Sequence, residues 1–124
     1  MTEEQKKLLT SYLDYSRSYG LILECCGGIV GEVLRSINEL PDGRIVINDD
    51  WDLDEVKPCL IKYEDLPAEL QQEFTKTIGN VNQTLRQSII NSMKFYLTNH
   101  VDIFDLIDQG LAKDITKTIN PYKK

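Results

Sequence analysis

The chain has 124 residues, with 14 basic against 20 acidic side chains, a single histidine and a formal net charge of -6. That length supports one core, so a single domain over residues 1–124 is expected, and 41% apolar with 27% charged residues is globular rather than disordered composition. The acidic balance argues against nucleic acid as a direct partner, since neutralising phosphates takes clustered Lys and Arg, and residues 21–34, the longest near-apolar run, are broken by Glu24 and Glu32, which excludes a membrane span.

Residues 1–7 carry acids and no apolar stretch, so no secretory signal is read there. Cys25, Cys26 and Cys59 form an odd set with an adjacent pair, which suits free thiols in a cytoplasmic protein. One histidine and no CxxC leave zinc too few soft ligands, and no metal or other cofactor is expected.

Taken in chain order, Thr2 and Gln5 stand as a capping box. Leu8, Leu9, Tyr12, Leu13, Tyr15 and Tyr19 follow at helical spacing, predicting an amphipathic helix over residues 3–19. Ile22, Cys26, Val30, Val33, Ile37 and Leu40 continue a helical stripe, although Gly27, Gly28 and Gly31 each cost a helix about 1 kcal/mol relative to alanine. Close approach of another backbone would compensate. The same CCGGIVGE run lacks both the GxGxxG spacing and the Gly-Lys-Ser/Thr ending of phosphate-binding loops.

Pro41, Asp42 and Gly43 make a turn, after which the period changes. Residues 44–48, RIVIN, and 56–63, VKPCLIKY, are two strands, joined into a hairpin by the acidic loop 49–55. From there Leu66, Leu70, Phe74, Ile78, Val81, Leu85, Ile89, Met93 and Tyr96 mark one helical face, with Asp65 as N-cap and Pro67 in the first turn. Gly79 and Asn80 leave open one kinked helix or two; unbroken, the stripe would reach about 45 Å, so it breaks or a second subunit covers its far half. Asn99 and His100 terminate it, and Ile103, Ile107, Leu111, Ile115 and Ile119 at fours predict a last helix ended by Asn120 and Pro121. The fold class expected is α+β and predominantly helical, with about four helices and one short β-hairpin.

Charge is the most uneven feature. Residues 41–69 hold three basic and nine acidic side chains, an excess equal to that of the whole chain, because the two flanks cancel. The matching partner is a protein with a basic surface, and the expected contact residues are Asp49, Asp50, Trp51, Asp52, Asp54 and Glu55. Trp51 is either an exposed anchor or folded back on the helices. Asp50, Asp52 and Asp54 alternate as in a calcium loop, but Glu55 stands where that loop needs Gly and Ile61 where it needs Glu. A lone His100 with no nucleophile beside it argues against an enzyme. The expected function is a small non-catalytic acidic interaction protein of inhibitor, immunity or phage anti-defence type. A homodimer is also expected, through the long stripe or through the small residues Gly27 and Gly31.

Residues 57–69, KPCLIKYEDLPAE, resemble the HPCLxPYxELPE segment of RyR-like domains, the ryanodine receptor repeat, at Pro58, Cys59, Leu60, Tyr63, Glu64, Leu66, Pro67 and Glu69. Lys57 stands where that family has His and Lys62 where it has Pro, and the glycine-tryptophan-tyrosine-glycine turn is missing. The resemblance implies, as an alternative, a module binding a small nucleotide-type ligand, with Tyr63, Lys57 and Arg44 lining its pocket.

Overall fold

The structure, a computed structural model, describes residues 1–79, 82–117 and 120–122. The first helix, α1 (Glu3–Ser16), starts as its sequence predicts: the Thr2 hydroxyl accepts from Gln5 N at 3.0 Å while Thr2 N donates to the Gln5 side chain at 2.9 Å. Leu9, Tyr12 and Leu13 are fully buried on one face. Gly20, at φ 69, then turns the chain into the first strand.

Among the described residues there are three α-helices and seven strands, not about four helices and a hairpin. The strands are β1 (Ile22–Cys25), β2 (Ile29–Val33), β3 (Ile37–Glu39), β4 (Ile45–Ile47), β5 (Trp51–Asp52), β6 (Val56–Leu60) and β7 (Lys113–Asp114); α2 (Ala68–Ile78) and α3 (Leu85–Thr98) complete the set. They form a four-stranded sheet ordered β2-β1-β6-β7 and a three-stranded sheet ordered β3-β4-β5. All pairings are antiparallel except β6 with β7.

Three expectations are corrected here. Residues 22–40 are not helical but supply β1, β2 and β3. Gly27, Gly28 and Gly31 sit at φ 73, 155 and 132, values an α-helix does not contain, and the burial that counts alternates through Leu21, Leu23 and Cys25. Gly27 and Gly31 thus belong to a hairpin turn and a strand, and offer no helical small-residue face. The expected hairpin between residues 44–48 and 56–63 is absent: β4 pairs with β3 and β5, whereas β6 pairs with β1 and β7. The last helix is absent as well. The Asp102 carboxylate accepts from Leu106 N and Ile107 N at 2.8 and 2.9 Å, Asp105 and Gly110 take φ 56 and 76, and the segment ends in β7. Ile119 of that expected helix lies outside the described residues.

The long stripe resolves into two helices. α2 ends at Gly79, and α3 opens on a second capping box, Thr84 with Gln87. Asn80 and Val81 lie outside the described residues.

Strand β6 organises the core because its side chains alternate between two clusters. Val56 and Leu60 join Leu9, Tyr12, Leu13, Leu106 and Leu111, while Cys59 and Ile61 join Leu66, Val101 and Ile115, with Leu70, Phe95 and Tyr96 packed alongside. Burial of each large apolar side chain stabilises by about 1.5–3 kcal/mol. Two hydroxyls tie distant segments to this frame. Tyr12 donates to Val101 O at 3.1 Å; Tyr122 donates to Cys59 O at 2.9 Å and accepts from Ile22 N at 2.9 Å.

Candidate functional site: the acidic three-stranded sheet

The smaller sheet begins with the β3-β4 hairpin, whose turn is closed by Leu40 N donating to Arg44 O at 2.8 Å. Asp42 accepts from Arg44 N at 3.0 Å and from Arg44 Nε at 3.1 Å, and the Arg44 backbone bond holds its carboxyl below the ordinary range. The β4-β5 turn follows on Asn48 and Asp49, at φ 54 and 62, closed by Asp50 N to Ile47 O at 3.2 Å. Two successive positive φ values are what a tight hairpin turn needs, and Asn and Asp are the non-glycine residues that tolerate them best. An Asn-Asp pair between IVI and a tryptophan was therefore a readable hairpin signal, which the strand assignment at 44–48 passes over.

Asn48 is buried and fully satisfied. Its Oδ1 accepts from Arg35 N and Ser36 N at 2.6 and 3.0 Å; its Nδ2 donates to Val33 O at 2.8 Å and to the Glu32 carboxylate at 3.2 Å. One side chain thereby fixes the β2-β3 connection against the β4-β5 turn, joining the two sheets.

Within residues 32–55 stand eight acidic and two basic side chains, an excess of six that equals the net charge of the whole chain. Both arginines are engaged inside the segment: Arg35 with Glu32 at 3.0 Å, and Arg44 with Asp42 at 3.1 Å and Asp52 at 3.9 Å. The acids differ in what they face. Asp49 accepts from Asn38 Nδ2 at 2.9 Å, and Glu55 accepts from Asp52 N at 2.9 Å and from the Cys26 thiol at 3.2 Å. The Asp52 backbone bond holds the Glu55 carboxyl down, and the Glu55 bond raises the Cys26 thiol. Asp50, Asp54 and Glu39 are exposed, and their side chains make no hydrogen bond or ion pair among the described residues.

Trp51 is half-buried and packs against the larger core cluster, with Nε1 shielded and without an acceptor among the described residues. Of the contact residues expected from sequence, Asp49, Asp50 and Asp54 thus line the outer surface, Asp52 and Glu55 secure the turn, and Trp51 turns inward.

Arg44, Asp52 and Asp54 also line a cavity of about 400 Å³ with Met1, Lys6, Gly43, Ile45 and Leu53. Neither Lys57 nor Tyr63 reaches it. Lys57 is exposed on β6 opposite Glu24, and Tyr63 packs edge-on against Phe74 at 5.7 Å beside a shallow hollow formed with Gln71, Thr75 and Lys76. The ligand set expected from the RyR-like resemblance therefore does not converge on one cavity. Among the described residues no three of His, Cys, Asp and Glu could share a metal ion, and no helix is long and apolar enough to cross a membrane. Comparison of the chain with protein-family models, with curated proteins and with solved structures finds no match.

The one histidine closes α3, as its sequence position suggests. His100 N donates to Leu97 O at 3.3 Å and Val101 N to Tyr96 O at 2.9 Å, a Schellman closure with His100 in the left-handed position at φ 57. Its ring stacks on Tyr122 at 3.8 Å, Nδ1 is buried without a partner among the described residues, and burial pushes its pKa down to about 4. The unfolded chain, with an ordinary imidazole near 6.5, binds that proton first. Stability is therefore complete above about pH 6.5 and falls towards about pH 4, with little further loss from this group below. His100→Asn, which tolerates the same backbone, should remove this slope, and urea midpoints of the two proteins at pH 7 and pH 4.5 will test it. Parallel midpoints at both pH values would refute the assignment.

Proposed function

We propose that the protein is a non-catalytic interaction protein of the cytoplasm, which docks its acidic three-stranded sheet on a basic surface of a protein partner and inhibits that partner by occupying it. One observation carries the reading: a segment of 24 residues holds the entire net charge of the chain, and its only two cations are spent on its own acids. The segment's other acids have no ion-pair partner among the described residues, and their negative potential raises the encounter rate with a cationic surface. Asp50, Asp54 and Glu39 are the steering charges, with Asp49 beside them. Trp51 supports the sheet from behind and is not a contact residue in this reading. The three cysteines are unpaired, with Cys25 and Cys59 buried and their thiols pushed up to about 11 by burial, which keeps them protonated and inert at neutral pH.

The triple variant D50N/D54N/E39Q tests this against a synthetic Lys- and Arg-rich peptide as probe. Wild type should bind it with an association rate that falls steeply between about 0.05 M and 0.5 M salt, as the screening length shortens. The variant should bind at least about 10-fold more weakly at low salt with unchanged thermal unfolding. Equal binding by the two proteins would leave the sheet without its assigned role.

A further inference from the structure

We infer that the cavity between α1, the β3-β4 hairpin and the turn after β5 binds a small apolar zwitterion, an aliphatic α-amino acid or its dipeptide. At about 400 Å³ it falls at the lower end of the volumes that hold small molecules. Three parts of the chain build it. Lys6 comes from α1, Arg44 and Ile45 from the turn into β4, and Asp52, Leu53 and Asp54 from β5 and the turn behind it. Its floor is firm, because Leu53 is 6% exposed and Ile45 packs on the larger core cluster. Its rim is low at Gly43, where φ is 88 and nothing lies within 4 Å of the place a Cβ would take.

The charged groups are positioned but not used up. Asp42 accepts from Arg44 N and Nε at 3.0 and 3.1 Å, and Arg44 Nη1 stands 3.9 Å from the Asp52 carboxylate, so the guanidinium is held while Nη2 has no partner among the described residues. Lys6 has only Glu3, 3.6 Å away on its own helix, an exposed pair that contributes little in water. The Asp54 side chain has no partner among the described residues.

The balance of signs selects the ligand. Residues 32–55 carry eight acids and two cations, yet at this cavity two acids meet two cations, because α1 adds Lys6 to Arg44. A phosphate or nucleotide would face the carboxylates of Asp52 and Asp54, and a simple cation would face Lys6 and Arg44. A molecule with one carboxylate and one ammonium answers both. Its carboxylate accepts from Lys6 and Arg44, its ammonium donates to Asp54, and its aliphatic part lies on Ile45 and Leu53; charge-assisted bonds of this kind are about twice as strong as neutral ones. The cavity shares Asp54 with the docking surface proposed above, but a zwitterion and a basic peptide report on the two separately, so either can fail alone.

Titration of the full chain with L-leucine and with leucyl-leucine, read by calorimetry and by backbone amide NMR shifts, provides the test. At least one should bind with a dissociation constant below about 1 mM and shift the amides of Gly43, Arg44, Leu53 and Asp54. Isocaproate, which lacks the ammonium, and isoamylamine, which lacks the carboxylate, should bind at least about 10-fold more weakly. Lys6→Gln and Asp54→Asn change exposed side chains, so thermal unfolding should stay as in wild type while each weakens the zwitterion at least about 10-fold. Isoamylamine binding as tightly as leucine overturns the inference and gives the cavity to a lysine- or arginine-like side chain of a protein partner. Isocaproate binding as tightly overturns it in favour of a plain anion. Absence of binding by both zwitterions up to about 10 mM, or shifts confined to other residues, overturns it outright.

Discussion

Asn48→Ala should destabilise the protein by about 3–5 kcal/mol, a large share of the 5–15 kcal/mol that holds a domain of this size folded. Three costs add. The four hydrogen bonds of the buried carboxamide are lost, and the Arg35 and Ser36 N-H groups lose their acceptor. Leaving a buried donor unpaired costs about 1–3 kcal/mol. The remaining cost is conformational, because alanine at φ 54 is disfavoured by about 1–2 kcal/mol. Asn48→Gly separates the terms: it loses the same bonds but not the backbone preference, and should be more stable than the alanine variant by about 1 kcal/mol. Asn48→Asp keeps the acceptor but sets a second carboxylate beside Glu32 and Val33 O, and should be worse than glycine. Urea unfolding of the three variants measures all of this. If alanine falls within 1 kcal/mol of wild type, Asn48 does not join the two sheets.

Removing Lys113 should cost about 3 kcal/mol. Its ammonium reaches across β6 from β7 to the Glu24 carboxylate on β1, and the two side chains are 26% and 12% exposed. Breaking such a pair from one side strands a charge in a poorly solvated place, for which buried pairs lose about 3–5 kcal/mol; the residual exposure here puts the loss at the lower end. Lys113→Met shows the cost. The double variant E24Q/K113M should recover most of it, since no charge is then left unpaired. If single and double variants unfold at the same urea concentration, the loss comes from packing of the lysine stem and the ion pair contributes nothing.

What the sequence disclosed follows from how local each signal is. The Thr2 and Gln5 cap and the Pro41-Asp42-Gly43 turn are set by neighbours within four residues and are seen in the structure, whereas the stripe across Gly79, which the sequence left open as one kinked helix or two, resolves into two. Ile22 to Leu40 misled because apolar residues at steps of three and four also serve a hairpin when a bulge resets its register, as it does between Leu23 and Glu24. The three glycines, treated as a cost to a helix, were the better signal. The stripe from Ile103 to Ile115 misled for a tertiary reason. Asp102 captures the N-H groups of Leu106 and Ile107, and β6 offers Cys59 and Leu60 as partners for Lys113 and Asp114, neither of which is visible in a local window. For the acidic region, composition located the charge, but only coordinates separate Asp50 and Asp54, which face water, from Glu55, which bonds the neighbouring turn.

The late strand β7 also bears on the order in which the molecule can be made. A nascent chain that has emerged only as far as Thr98 already holds β6, yet lacks the parallel neighbour along its outer edge, the Val101 carbonyl that receives the Tyr12 hydroxyl, and the Tyr122 hydroxyl that bridges β1 and β6. Until those residues leave the ribosome, the larger sheet stays open on both sides to any extended segment nearby. Emergence of residues 99–122 is thus the step that covers the outer edge of β6, and folding yield should depend on how fast that segment is delivered.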